Sequence, residues 1–225
     1  MKTLWKTDEA IQGRAWSKIK YEIPYEISKT LPDGCLVLDL GGGLGWFGPW
    51  FIINHKKSKV VCVDIEPRLG KDVTYLKANV LSLPIFDDTF DVVCAHSILH
   101  HVPDSLDECL TEVQRVLKPG GLFVIQEPTA NNPLVNVVRK FFRTDIHVDD
   151  EKPFLLKKLK DFIKKHFTIE EVECFFLFSY MVPHIVSRLP FLKSLAYFLL
   201  NLDKKMLNKL SLDNYSAYTS IVARK

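Results

Sequence analysis

The chain has no uninterrupted apolar run long enough to cross a bilayer. Its two most apolar stretches, Cys174–Val186 and Leu189–Leu202, are broken by Pro183, Arg188, Pro190 and Lys193. The opening Met-Lys-Thr-Leu-Trp-Lys-Thr-Asp-Glu lacks the apolar core of a secretory signal. A cytoplasmic protein is expected, with any membrane contact peripheral. An excess of one charge sign is also missing. Thirty Lys and Arg against 27 Asp and Glu leave a net charge of +3, far from the concentrated basic stripe that nucleic-acid binding needs. The five cysteines (35, 62, 94, 109 and 174) are odd in number, widely spaced and show no metal-ligand spacing. No metal is expected, and the thiols read as small hydrophobes in a reducing compartment. No Gly-, Ser- or Pro-rich linker divides the 225 residues, and 47% hydrophobic content can fill one core. A single domain over residues 1–225 follows.

The densest feature is Val37-Leu-Asp39-Leu-Gly41-Gly42-Gly43-Leu-Gly45. Leu36, Val37, Leu38 and Leu40 around Asp39 form a short apolar run, the pattern of a strand buried on both faces in a parallel sheet. Glycines then crowd the point where the strand must stop, allowing positive φ and close approach of a ligand to bare backbone. The next segment, Trp46 to Asn54, has helical character, so its first N–H groups would face the turn. An acid before such a turn marks a nucleotide-type site.

Strands and helices alternate from there. Val60–Val63 ends at Asp64, Tyr75–Lys77 forms a short third strand, Val92–Ala95 a fourth and Leu122–Gln126 a fifth. Leu106, Leu110, Val113 and Leu117 recur at helical spacing after Asp104-Ser105, and Lys118-Pro119-Gly120-Gly121 stops that helix. Repeated βαβ units imply a Rossmann-like, doubly wound α/β fold, in which ligands bind beyond the carboxyl ends of the strands. Asp39, Asp64, His96 and Glu127 should converge there. Gly43-Leu-Gly45-Trp-Phe-Gly48 also satisfies the dinucleotide pattern G-x-G-x-x-G, with Asp64 at a ribose-binding distance in sequence. That pattern is shifted, because Gly41 opens the turn and Gly48 falls inside the expected helix.

The blocks Asp39-Leu-Gly41-Gly-Gly43-Leu-Gly45, Val63-Asp64-Ile65, Leu83-Pro84 with Phe90-Asp91, His100-His101-Val-Pro-Asp104 and Leu117-Lys-Pro-Gly-Gly121 come in one order over residues 30–127. Together they resemble the class I S-adenosylmethionine-dependent methyltransferases, type 11 subgroup. The resemblance implies a seven-stranded, mostly parallel sheet with an antiparallel last strand, S-adenosylmethionine as cofactor and a small-molecule acceptor. It implies roles as well. Asp39 and the turn carbonyls would accept from the cofactor ammonium, with Gly41, Gly43 and Gly45 admitting its chain. Asp64 suits the ribose diol, since a carboxylate accepts from two hydroxyls at once. Ile65 would pack on adenine, Asn79 and the Val80 N–H would read its edge, and His96 would line the groove. Relatives often carry Asp where this chain has Asn79.

A hydroxyl acceptor must lose a proton near the transition state, and imidazole suits that task at neutral pH. Either His100 or His101 is the expected base, since neighbours in a turn point apart, and Glu127 would orient it or bind acceptor hydroxyls. A paired histidine beside a strand-five acid is similar to some sugar O-methyltransferases, so a sugar, free or lipid-linked, is the leading acceptor. The alternatives are a lipid or quinone acceptor at a membrane, and a cofactor-binding regulator without catalysis.

Three further segments stand outside these blocks. Residues 1–30 read as an N-terminal helical cap over the cofactor edge. Pro153 to Phe167 reads as a basic amphipathic helix with a solvated face, Thr168 to Phe178 as strand six, and Ala217 to Ala223 as strand seven. Between the last two, residues 181–214 form an apolar-rich insertion, read as two helices serving as a lid, a subunit contact or a membrane rest.

Overall fold

The computed structural model describes residues 34–43, 51, 57–66, 73–141, 153–178, 193–210 and 212–225. Seven strands form one sheet: β1 (Leu36–Leu40), β2 (Lys59–Asp64), β3 (Thr74–Lys77), β4 (Phe90–His96), β5 (Leu117–Pro128), β6 (Thr168–Phe175) and β7 (Tyr218–Arg224), in the order β3-β2-β1-β4-β5-β7-β6. The first five run parallel, and β7 lies antiparallel between β5 and β6. This is the Rossmann-like seven-stranded fold expected. Winding reverses between β1 and β4, which opens a crevice at their carboxyl ends.

The strands are apolar on both faces because both faces are covered. On one face Leu38, Leu40, Val93, Phe123 and Ile125 meet helices α1 (Leu106–Val116) and, after α2 (Pro133–Phe141), α3 (Leu156–His166). On the other, Val37, Val60, Cys62, Val92 and Val124 pack with Phe51. All five cysteines are buried and unbridged. Helix α1 buries Leu106, Cys109, Leu110, Val113 and Val116, the stripe its spacing predicts, and acids fill its first turn.

At two boundaries the backbone shows why the sequence expectation shifts. Leu117 is already extended (φ −75°, ψ 138°) and pairs with Phe90, so β5 starts before Leu122 and takes in the Lys-Pro-Gly-Gly block that follows the helix. There the register shifts: Phe90 faces Leu117, yet Val92 faces Leu122. Gly120, at φ +76°, absorbs the detour. Strand β6 ends at Phe175 instead of Phe178, because Phe176 adopts φ +62° and turns the chain out of the ladder. Of the insertion, the described part forms one helix, α4 (Lys193–Lys209), and a short turn at Asp213–Tyr215. Residues 181–192 and 1–30, and most of 46–54, lie outside the described residues. Among the described residues no helix is long and apolar enough to cross a membrane.

Two buried polar side chains tie these outer elements to the sheet. Asn132 caps α2 by accepting from the Val135 N–H (3.1 Å) while its amide donates to the Phe176 and Leu177 carbonyls. Asp203 of α4, 1% exposed, accepts from the Leu177 (2.8 Å) and Phe178 (3.2 Å) N–H groups. Asp203→Ala leaves both donors without that acceptor, and is expected to lower stability by about 3 kcal/mol in denaturant unfolding.

Candidate functional site

The carboxyl end of β1 meets its neighbours through the glycine turn. Gly41 and Gly42 donate to the Val63 carbonyl (2.8 and 3.2 Å), which folds the turn back onto β2. At Gly41, with φ +66°, a Cβ would sit 2.4 Å from Ile98 Cγ1. At Gly42 a Cβ would meet Cys62 Sγ at 2.1 Å and Asp39 Oδ2 at 2.7 Å. Neither position admits a side chain. Sequence reading passed over Gly42; the feature that fixes it is Cys62, which β-sheet register places beside Asp39. Among the described residues a Cβ at Gly43 would find only the Gly41 carbonyl, 3.9 Å away.

Two acids flank the turn in different surroundings. Asp64 Oδ2 accepts from the Gly43 N–H (2.8 Å) and Oδ1 from the Glu66 N–H (2.9 Å), so its carboxylate shapes the loop. A carboxylate has about four acceptor positions, which leaves capacity for hydroxyls besides. Asp39 is 2% exposed, and among the described residues its Oδ2 has no hydrogen-bond partner. Burial pushes its carboxyl up to about 7; the Asp64 charge adds to this and the Cys62 thiol partly offsets it. A buried acceptor beside bare glycine backbone fits a cationic ammonium group.

Ile65 is 65% exposed at the end of β2, an apolar surface open to a ring. Val80 is buried, and Asn79 Oδ1 accepts from the Leu81 N–H at 3.0 Å, the geometry of an Asx turn. Gly45 lies outside the described residues.

The second half of the site follows β4. Glu127, fully buried, accepts from the Ile98 and Leu99 N–H groups through Oε1, both at 2.8 Å. Its Oε2 lies 2.7 Å from His100 Nδ1. An ionised carboxylate only accepts, so this bond puts the hydrogen on Nδ1 and aims the ring. His100 is 4% exposed, while His101 faces solvent with its ring centroid 4.2 Å from that of His100. The structure thereby distinguishes two residues that the sequence left equivalent. Ile98 joins the halves: its N–H meets Glu127 and its side chain lies on Gly41.

His96 turns toward β5 and β7. Its Nδ1 is 2.9 Å from Gln126 Oε1 and its Nε2 3.5 Å from the Tyr218 hydroxyl, which in turn lies 2.7 Å from Ser97 Oγ. Ser97 adopts φ +52°, a strained value for a residue with a side chain, and this bond helps hold it. Sequence reading missed Ser97, Gln126 and Tyr218. Only Gln126, polar within an apolar strand, carried a local signal.

Residues 38–125 match the family model described as a methyltransferase domain. The chain is 34% identical over 118 residues to the ubiquinone/menaquinone biosynthesis C-methyltransferase UbiE of Hahella chejuensis, covering 46% of this chain and 47% of that protein. It thus spans about half the length of the curated relatives it matches. Two solved structures share the fold at low identity. One is an S-adenosylmethionine-dependent methyltransferase from Archaeoglobus fulgidus (TM-score 0.61, 19% identity, all of both chains). The other is the 1,6-didemethyltoxoflavin-N1-methyltransferase of Burkholderia thailandensis with S-adenosylhomocysteine bound (TM-score 0.55, 18% identity, 100% of this chain and 81% of that one). The domain match over residues 38–125, the sheet order and the glycine turn all agree with a class I, type 11 S-adenosylmethionine-dependent methyltransferase.

Proposed function

We propose that this chain transfers a methyl group from S-adenosylmethionine to a hydroxyl of a small acceptor, a sugar or similar metabolite, with His100 as the base. The observation that carries this reading is the 2.7 Å bond between His100 Nδ1 and Glu127, next to the glycine turn through Ile98. When bound, the cofactor supplies a methyl on a sulfonium, with a neutral thioether as leaving group. Asp39 would take its ammonium, and Gly41, Gly43 and Gly45 would admit the chain. Asp64 would accept from the ribose hydroxyls without leaving the Gly43 N–H. Ile65 would pack on the adenine, and Asn79 and the Val80 N–H would read its edge.

His100 acts on the acceptor by geometry first. Glu127 holds Nδ1, so the acceptor proton is taken at Nε2, and the imidazolium formed is stabilised by the carboxylate. His101 packs on the ring and screens it. Turnover of an acceptor panel with labelled cofactor, read by mass spectrometry, tests the reaction. His100→Ala should slow it roughly a hundredfold with cofactor affinity unchanged, and His101→Ala less than about tenfold. Full rates in both variants would place the base elsewhere.

A second reading is methylation of carbon on a quinone or lipid, favoured by the name of the Hahella relative. Product analysis separates the two, since only the first gives an ether.

A further inference from the structure

Helix α4 presents Leu195, Phe198, Leu202, Lys205 and Lys209 to solvent, spaced 3, 4, 3 and 4 residues apart, hence as one stripe. Phe198 is 62% exposed. Asp203 and Leu207, on the opposite side, are buried against the fold. The tie between Asp203 and Leu177-Phe178 places this helix at the end of β6, which the register Pro128–Tyr218–Phe175 puts at the carboxyl end of β5. That is the end of the sheet that carries Glu127 and His100.

Neighbouring elements extend the surface. Asn132 links the same segment to α2, where Leu134 and Val137 are exposed. Asn131 holds the first turn of α3 through the Leu156 N–H at 2.7 Å, and that turn exposes Lys157 and Lys158. Apolar and cationic side chains thus share one edge, without an exposed acid in the α4 stripe.

We propose that this edge rests on an anionic membrane surface, with Leu195, Phe198 and Leu202 in the headgroup layer and the lysines over lipid phosphates. The charge decides the occupant. Large apolar side chains followed by lysines on one helix face match an interfacial helix on acidic lipid. A second copy of the chain packed in parallel on the same stripe would oppose Lys205 to Lys205 and Lys209 to Lys209. Membrane residence would bring the acceptor end of the sheet to lipid-linked or interfacial substrates, a consequence that rests on the methyl-transfer reading. The docking itself does not.

The test is sedimentation of the full chain with phosphatidylcholine vesicles, with and without phosphatidylglycerol, in the absence of cofactor and acceptor. The wild type should partition onto the anionic vesicles and be released by salt. The paired changes Leu195→Ser with Phe198→Ser, and Lys205→Glu with Lys209→Glu, should each weaken this roughly tenfold or more with melting temperature unchanged, because these side chains are exposed. Wild-type protein that ignores anionic vesicles, or variants that bind as it does, would overturn the proposal. So would a dimer in sedimentation velocity that the serine pair dissolves without any vesicle binding. Failure here leaves methyl transfer standing, because no catalytic step is measured.

Discussion

Glu127→Gln should fold and bind S-adenosylmethionine as the wild type does, yet turn over roughly a hundredfold more slowly, as His100→Ala does. The reason lies in what the carboxylate does at once. One oxygen accepts from the Ile98 and Leu99 N–H groups and the other from His100 Nδ1. An amide has one accepting end. If that end serves the two N–H groups, its NH₂ faces Nδ1 and forces the hydrogen to Nε2, where a base needs a lone pair. If the amide turns over, its NH₂ confronts two backbone donors and the loop carrying His100 loosens. Either arrangement removes the base while the shape of the side chain is kept, so stability should fall by only about 1–2 kcal/mol. Glu127→Ala loses all three bonds and should be less stable still. Single-turnover rates with calorimetric cofactor affinity make the comparison, and a Gln variant within about threefold of wild type would dismiss His100 as base.

The parts of this site that were legible in the sequence are those that local pattern dictates. Asp39 before the glycines, Asp64 at the end of the next apolar run and the stripe of α1 each announce themselves within a few residues. What was hidden depends on contacts between distant segments. Gly42 is fixed by Cys62 across the β1–β2 pairing, and the hydroxyl of Tyr218 reaches His96 from 122 residues away. His100 and His101 share type and neighbourhood, so only the position of Glu127 separates them. Boundaries failed where a single residue changed region. Leu117 continues the helical spacing yet is extended, two residues before Pro119, and Phe176 takes a left-handed conformation that no propensity assigns to phenylalanine. At Asn79 the structure shows the turn geometry common to this residue type, and its adenine role stays within the proposal.

Asp39 gives the second large effect, and its sign follows from where its proton resides. The folded carboxyl sits at about 7 instead of 3.8, first because burial disfavours the charge and then because Asp64 repels it. Between those values the folded protein holds a proton that the unfolded chain has released. Its contribution to stability is complete below pH 3.8 and is lost as pH rises through 7. A difference of about three units corresponds to about 4 kcal/mol across the window. Asp39→Asn cannot titrate, so its stability should be flatter from about pH 4 to pH 7 than that of the wild type, as urea unfolding at a series of pH values would show. On the proposed assignment cofactor binding would reverse the preference. An ammonium at Oδ2, which has no hydrogen-bond partner among the described residues, would select the ionised carboxylate, so binding below pH 7 would expel the proton. Affinity should therefore weaken by up to about tenfold per pH unit below 7, and calorimetry in buffers of different ionisation enthalpy should register nearly one proton released at about pH 6. The Asn variant should bind weakly and without that slope. Equal pH dependence in the two proteins would move the ammonium away from Asp39 while leaving the stability argument intact.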